Sequence, residues 1–151
     1  MAVAIRPAVL SDLAELGELK LRASLAWGDH LEEIGALPEA RVVPEQLLPS
    51  AFLAEDADRI LGFGVVLPWP ARRAELEDLF VDPEHWGRGI GRRLIAEAVR
   101  RARGMGADTL GVVAGDRALG FYRACGFELI GPQATLFEMA YGMELRLSRS
   151  G

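Results

Sequence analysis

Residues 79–94 read LFVDPEHWGRGIGRRL, and this stretch says most about the fold of the 151-residue chain. An apolar segment enters a Pro-containing turn, an amphipathic pattern with arginines follows, and between them glycines stand at positions 87, 89 and 91. Glycine tolerates positive φ and has no side chain to keep a ligand from the backbone. A helix that begins at such a turn offers unpaired N–H groups and the positive end of its dipole, which favour an anion. The stretch therefore predicts a strand, a turn that binds phosphate or pyrophosphate, and a helix, with a tight turn that binds nothing as the alternative.

Two nucleotide-binding motifs do not fit this stretch. The Rossmann pattern G-x-G-x-x-G, begun at Gly87, would need glycine at position 92, where the chain has arginine. A Walker A loop needs Lys and then Ser or Thr after its last glycine, and Arg92 and Arg93 stand there instead. Since Arg88 and Arg92 still supply charge-assisted donors, the sequence favours a phosphate ligand bound in another way.

Two apolar stripes predict helices after the glycines. The first stripe recurs every four residues, with arginines on the far side: Ile90, Leu94, Ala98 and Ala102. Gly104 and Gly106 are expected to end that helix. The second stripe occupies one helical face: Ala118, Phe121, Tyr122 and Cys125.

The rest of the chain predicts strands and further helices. The predicted strands are VAIRPA, AFLAED, RILGFGVVL, AELEDLFV, DTLGVVA, FELIG and LFEMAYGMELRL. Ser11 is predicted to cap a helix that runs to Trp27, and residues 28–49 are expected to hold a short helix and a loop. Strands and helices in this order predict an α/β or α+β fold, in which helices cover both faces of a sheet.

Composition indicates one cytoplasmic domain that spans residues 1–151. Half of the residues are hydrophobic, which suffices for one core, and the net charge of −5 argues against a general nucleic-acid binder. A single cysteine excludes an internal disulfide framework. His30 and His85 are far apart and are interpreted as surface residues, so we expect no metal site. The N-terminus is not typical of a signal peptide, and no apolar run approaches the roughly 20 residues that span a bilayer.

Two motifs resemble the GNAT superfamily of acetyl-CoA-dependent N-acetyltransferases. LFVDPEHWGRGIGRRLI is similar to the acyl-CoA-binding segment of that superfamily, Q/R-x-x-G-x-G/A, and ALGFYRACGFE is similar to its later helix, A-x-x-F-Y-x-x-x-G-F. The spacing of the motifs and the strand order agree, so the resemblance covers residues 2–147. It implies the GNAT fold, a mixed, mostly antiparallel sheet of about six to seven strands with about four helices.

The resemblance also implies where acetyl-CoA binds. It assigns the pantetheine arm to the backbone of one strand and the pyrophosphate to the glycine turn: Leu79, Phe80, Val81, Trp86, Gly87, Arg88, Gly89, Ile90, Gly91, Arg92 and Phe121. A main-chain N–H of the strand would polarise the thioester carbonyl. The chain departs from the family pattern at Trp86, which replaces Gln or Arg, and at Gly115, which often is Asn.

The same resemblance suggests a general acid. It places the hydroxyl of Tyr122 at the sulfur of CoA, where the phenol would protonate the departing thiolate. The alternative role of Tyr122 is that of a core aromatic residue on its apolar stripe. Cys125, one turn later and without a partnered histidine, is interpreted as packed core rather than as a nucleophile.

Two carboxylates are candidates for the general base. Glu75 and Glu77 lie two residues apart on one strand and therefore share a face with Leu79 and Val81. Glu75 aligns with a catalytic Glu of the histone-acetylating branch, whereas Glu77 is nearer to the expected thioester and is favoured slightly. Exposed strand carboxylates without a catalytic role, with water as the base, are the alternative.

The predicted reaction is direct transfer of an acetyl group from acetyl-CoA to an amine, and an acyl-CoA-binding module without turnover is the alternative function. The acceptor is a small-molecule or peptide amine, expected between residues 20–40 and 133–142. Acid-rich DHLEE would favour a cationic amine, whereas Trp27, Phe137 and Tyr141 would favour an apolar one. No nucleic acid or membrane partner is expected, and a homodimer is compatible with the family.

Overall fold

The computed structural model describes residues 2–26, 41–134 and 139–147. The strands follow in chain order: β1 (Ala4–Pro7), β2 (Ala51–Asp56), β3 (Arg59–Trp69), β4 (Arg73–Val81), β5 (Thr109–Ala114), β6 (Glu128–Ala134) and β7 (Met139–Arg146). They form a seven-stranded sheet in the order β1-β2-β3-β4-β5-β7-β6. The α-helices of the described residues are α1 (Leu13–Ala26), α2 (Ile90–Gly104) and α3 (Leu119–Ala124). The predicted fold class is confirmed.

The sheet is mixed because β4 and β5 run parallel, whereas β1–β2, β2–β3, β5–β7 and β6–β7 pair antiparallel. Residues 51–54 of β2 and 60–66 of β3 are all buried. Neither segment therefore shows the alternation of buried and exposed side chains that is typical of a strand with one solvent-exposed face. The hairpin between them was predicted correctly. It turns at Ala57, whose φ is 55°.

The start of α1 differs from the prediction. Ser11 does not cap this helix; a 3-10 helix, Leu10–Asp12, precedes Leu13. The carboxylate of Asp12 accepts the Val9 N–H at 2.8 Å and binds Arg6 at 2.9 Å. The N-cap of this 3-10 helix is Val9, and Asp12, at the third position, bonds back to the Val9 N–H while it pairs with Arg6 of β1.

The helix after the glycines matches its predicted stripe. Ile90, Leu94, Ala98 and Ala102 are at most 2% exposed. Glu97 binds Arg101 at 2.9 Å and Arg100 at 2.6 Å on the other side. The helix ends at Gly104, and Gly106 follows with a φ of 81°. Burial of each large side chain of such a stripe contributes about 1.5–3 kcal/mol.

Several predictions fall on residues outside the described ranges. Residues 27–40 hold most of the stretch expected to form a second short helix, including Trp27 and His30, and Phe137 lies in 135–138. The described end of that stretch forms a 3-10 helix, Glu45–Ser50. No helix of the described residues is long and apolar enough to cross a membrane.

The chain divides into two compact units that interleave along the sequence. The first comprises Met1–Val65 and Asp78–Leu94, and the second comprises Val66–Glu77 and Ile95–Gly151. Phe52, Phe63 and Leu16 are fully buried in the first unit, and Leu110 and Met143 in the second. β3, β4 and α2 each pass from one unit to the other. A single domain over residues 1–151 stays a prediction.

Candidate active site

The glycine turn lies at the N-terminus of α2, in the first unit. Gly87 and Gly89 have φ values of 78° and 81°, and a Cβ added to either would meet no atom within 4 Å. The Gly89 carbonyl accepts the Arg93 N–H at 3.2 Å, so Gly89 caps α2. Gly91 lies inside the helix and is not among the glycines of positive φ. Only two of the three glycines therefore serve the turn conformation.

The electrostatics of the turn favour an anion. The N–H groups of Ile90 and Gly91 belong to the first turn of α2, where a helix has no intrahelical acceptor for them. That first turn contains no acidic residue, and the side chains of Arg88 and Arg92 are exposed. The partial positive charge of the helix end adds to these arginines. The geometry suits a phosphate group on the open side of the two glycines.

Trp86 stands at the position where the family often has Gln or Arg. Its indole Nε1–H donates to the carbonyl of Val81 at 2.9 Å, and its backbone N–H donates to Pro83 at 3.3 Å. The first bond ties the turn to the last residue of β4. Trp86 thus supplies a polar group that fixes the turn, which sequence reasoning missed because only the closed turn brings residues 81 and 86 together. Trp86 remains 42% exposed.

The end of β4 carries the strand residues predicted for the cofactor. Leu79, Phe80 and Val81 are half-buried, and the Phe80 ring packs against Phe63 with centroids 5.6 Å apart. The register of β4 with β5 runs from Arg73–Thr109 to Leu76–Val112, although β4 continues to Val81. The pairing of β4 with β5 therefore stops before the residues expected to bind pantetheine.

Tyr122 lies on α3, in the second unit. The residue is 7% exposed and packs edge-on against Phe121 and Phe127, with centroid distances of 5.1 and 5.3 Å. Burial raises the pKa of the Tyr122 phenol above its ordinary value, and the nearby Cys125 adds to this shift. The hydroxyl consequently stays protonated across the physiological pH range and can donate a hydrogen bond or a proton.

Glu75 and Glu77 share a face of β4 but differ in their surroundings. The Glu75 carboxylate binds Arg73 Nε at 2.5 Å, and Arg73 Nη1 binds Glu144 at 2.7 Å. A Cβ on Gly111 would overlap both the Arg73 guanidinium and the Glu75 carboxylate, so the glycine makes room for this ion-pair cluster. Glu77 is exposed and has no ion pair with another residue that the structure describes. Glu77 is the freer of the two carboxylates.

His85 is buried, which contradicts its interpretation as a surface residue. Its residue exposure is 8%, because the 3-10 helix Pro83–His85 turns the ring inward. Its Nδ1 lies 4.0 Å from Asp82 Oδ2 and has no hydrogen-bond partner among the described residues. The potential ligand atoms of Asp82, Glu84 and His85 lie within 4.8 Å of one another. Arg59 binds Glu84 at 2.6 Å and lies 3.7 Å from Asp82, which makes this cluster a poor cation site.

The comparisons with known proteins agree on one family. The family model described as "Acetyltransferase (GNAT) family" matches residues 20–127. Glucosamine 6-phosphate N-acetyltransferase 1 of Oryza sativa subsp. japonica is 31% identical over 142 residues, which cover 83% of this chain and 81% of that protein. Mycothiol acetyltransferase of Rhodococcus opacus is 48% identical over 44 residues, which cover 29% of this chain and only 14% of that protein.

A solved structure supports the fold over nearly the whole chain. The PaiA N-acetyltransferase from Thermoplasma acidophilum, crystallised with coenzyme A, superposes with a TM-score of 0.80 at 20% sequence identity. The superposition covers 97% of this chain and 99% of that one. At this identity the likeness concerns the fold alone.

Proposed function

This chain belongs to the GNAT acetyltransferase family, and on that premise we propose that it moves an acetyl group from acetyl-CoA directly to an amine. Membership makes the chain an acyltransferase with acetyl-CoA as co-substrate. The observation that carries the proposal is the glycine turn. Gly87 and Gly89 have positive φ and open space beside them, at a helix start without acidic residues.

Binding of acetyl-CoA would rely mainly on the backbone. The pyrophosphate would accept hydrogen bonds from the N–H groups of the glycine turn and the first turn of α2. Arg88 and Arg92 would add screened attraction from the solvent side. Leu79, Phe80 and Val81 would pair with the pantetheine arm, which the early end of the β4–β5 register supports.

Tyr122 would act on the leaving group. As the amine nitrogen attacks the thioester carbon, the C–S bond breaks and negative charge develops on the sulfur. A thiol has a pKa of about 8.5, below that of a phenol, so the hydroxyl of Tyr122 would first stabilise the sulfur by donating a hydrogen bond. Transfer of its proton to the sulfur as the C–S bond breaks would leave a phenolate, which would recover a proton from water. The raised pKa of the Tyr122 phenol supports the hydrogen-bonding role, because it keeps the donor protonated.

Glu77 would take the proton from the attacking amine, directly or through water. Its exposure on the face of β4 that also carries Leu79 and Val81 supports this role. Glu75 is the weaker candidate because its carboxylate already binds Arg73. The acceptor would be a small-molecule or peptide amine. A homodimer, a cytoplasmic location and the absence of a nucleic-acid partner stay predictions.

Calorimetric titration and an amine panel test the proposal. Acetyl-CoA should bind with a dissociation constant in the micromolar range, which corresponds to a binding free energy of about −8 kcal/mol. At least one amine of the panel should be acetylated. No binding at millimolar acetyl-CoA would contradict the cofactor assignment. Binding without turnover across a broad panel would instead favour the acyl-CoA-binding module.

Tyr122→Phe tests the general acid. The variant should keep its affinity for acetyl-CoA but lose about 10²-fold in kcat, because it lacks the hydroxyl that meets the sulfur. Burial raises the pKa of the Tyr122 phenol above the ordinary value of about 10, so the phenol stays protonated up to that pH. In the unmutated enzyme, kcat should therefore not fall between pH 7 and about pH 10. Full activity of the variant, or a falling limb near pH 8 that the variant abolishes, would contradict the assignment.

A further inference from the structure

A buried carboxylate just before the glycine turn has no part in the proposed chemistry. Asp82 follows β4 directly, and its side chain is 6% exposed. One carboxylate oxygen, Oδ1, accepts the Glu84 N–H at 3.1 Å and caps the 3-10 helix Pro83–His85. The other, Oδ2, lies 3.4 Å from Arg22 Nη2 and 3.7 Å from Arg59 Nη2. Asp82 thus connects the approach to the turn with α1 and β3.

The backbone of the same segment is bonded at both ends. The Asp82 N–H donates to Leu61 on β3 at 2.8 Å, and the Asp82 carbonyl accepts the His85 N–H at 2.8 Å. Trp86 then returns to Val81 through its indole. Since Gly87 follows Trp86 directly, a displacement of Asp82 would be transmitted to the turn through a short segment held by these hydrogen bonds.

Arginines compensate the two carboxylates next to the glycine turn, those of Asp82 and Glu84. A cleft of about 290 Å³ lies beside it, lined by Arg22 and Arg59 together with Glu15, Asp82 and Glu84. Asp82 and Glu84 each have an arginine within 4 Å, so neither carboxylate needs an external counter-ion, although Glu15 leaves the cleft with one negative charge in excess. This neutralisation matters at a turn that binds an anion, because an uncompensated carboxylate nearby would repel the phosphate. The cluster therefore suits a supporting role for the turn better than a ligand site of its own.

We propose that Asp82 is a positioning residue for acetyl-CoA: paired with Arg22 and Arg59, it fixes the segment that places the glycine turn. The inference rests on the proposed function, because it takes the turn to be the pyrophosphate site. Asp82 touches no reacting atom. Its effect should appear in the affinity for the cofactor and in the KM for acetyl-CoA, whereas kcat at saturating cofactor should be nearly unchanged.

Asp12 provides a matched control for Asp82. It is also a buried aspartate at a 3-10 helix, with a side chain 10% exposed. It accepts a backbone N–H from Val9 and pairs with Arg6, as Asp82 does with Glu84 and Arg22. Among the described residues, no hydrogen bond of Asp12 leads to the segment 81–86. A purely structural role of a buried, capped ion pair should therefore affect Asp12→Asn and Asp82→Asn alike.

The test compares calorimetric affinity for acetyl-CoA with the free energy of unfolding in urea. Asp82→Asn should weaken acetyl-CoA about tenfold, and Asp12→Asn should leave the affinity within about twofold, although both variants lose stability. Arg22→Gln, at a half-exposed position, should weaken the cofactor in the same direction. The double variant Asp82→Asn, Arg22→Gln should lose less affinity than the sum of the single losses, because both changes break one interaction.

The outcomes separate this inference from the proposed function. If the unmutated protein binds no acetyl-CoA, the proposed function and the inference both fail. The inference alone is wrong if the unmutated protein binds acetyl-CoA and Asp82→Asn either binds it with the same affinity or loses no more affinity than Asp12→Asn does. If Asp82→Asn does not fold, the affinity of Arg22→Gln decides: an unchanged value overturns the positioning role, and a selective loss upholds it.

Discussion

The glycine turn and the Arg73–Glu75–Glu144 cluster are both charged regions that contain glycines. They differ in what occupies the space that a side chain at the glycine position would otherwise fill. At the turn, the space beside Gly87 and Gly89 stays open, and no acidic residue follows in the first turn of α2. In the cluster, the space above Gly111 is filled by Arg73, which binds carboxylates of two other positions. The turn therefore keeps its capacity to bind an anion, whereas the cluster satisfies its own charges and stabilises the sheet.

Gly89→Val should have the largest effect on this comparison. A β-branched residue is strained at a φ of 81°, and its side chain would occupy the open space beside the turn. We expect affinity for acetyl-CoA to fall about 100-fold, or about 2.7 kcal/mol, in calorimetric titration. Arg88→Ala should cost only a few-fold, because its exposed charge is screened by salt.

Gly106→Val is the matched control for Gly89→Val. Gly106 follows the other end of α2 with the same φ of 81°, and a Cβ there would also meet no atom within 4 Å. The control carries the same backbone strain without a ligand nearby. A similar loss of affinity in both variants would mean that strain, rather than blocked access to the turn, explains the effect.

Gly111→Ala should affect the cluster and leave the turn intact. Its Cβ would displace the Arg73 guanidinium and the Glu75 carboxylate, so we expect the free energy of unfolding to fall by about 2 kcal/mol. Affinity for acetyl-CoA should stay the same. Gly104→Ala is the control, because its Cβ would meet no atom within 4 Å. If urea unfolding finds the two variants equally stable, the cluster contributes little.

Glu77→Gln has the smallest expected effect, and it sharpens the contrast between a paired and an exposed carboxylate on one strand. The variant should lower kcat/KM about tenfold, because the amine would lose its proton acceptor. Glu75→Gln should instead lower stability, since Arg73 would keep only Glu144. If both variants keep the full rate and the same pH profile, water rather than a carboxylate is the base.

Most elements of the fold could be predicted from local patterns. The stripe of Ile90, Leu94 and Ala98 predicted α2 because a period of 3.6 residues places these side chains on one buried face. The predicted turns at Gly87 and Gly89 followed from the conformational freedom of glycine. The cap of α1 was assigned wrongly to Ser11, because a 3-10 helix precedes Leu13 and its Asp12 is held by Arg6 of β1, a contact that exists only in the folded chain.

Motifs in the sequence indicated which residues to propose for the candidate site, but they did not indicate which of its polar and charged groups are buried or paired. Tyr122 and the turn residues were proposed as site residues from their motifs, whereas the burial of His85 and the indole bond of Trp86 carried no signal in the sequence. The same holds for Asp82. Its arginine partner on α1 is 60 residues away in the chain, so no local pattern indicates the pair.

The sequence by itself determined the features that depend on local backbone conformation and on periodicity. These are the glycine turn, the amphipathic α2, the Tyr-bearing α3 and the family that their motifs indicate. These are local properties, set by the φ that a residue tolerates and by the face on which its side chain falls. Only the tertiary structure decided which charged groups are satisfied. Arg73 binds Glu75 and also Glu144, which lies 71 residues from Arg73 in the chain and reaches it beside Gly111. Glu77, two residues after Glu75, remains exposed. Burial and ion pairing depend on chain segments that meet only in the folded state, and this dependence separates a structural carboxylate from one available for chemistry.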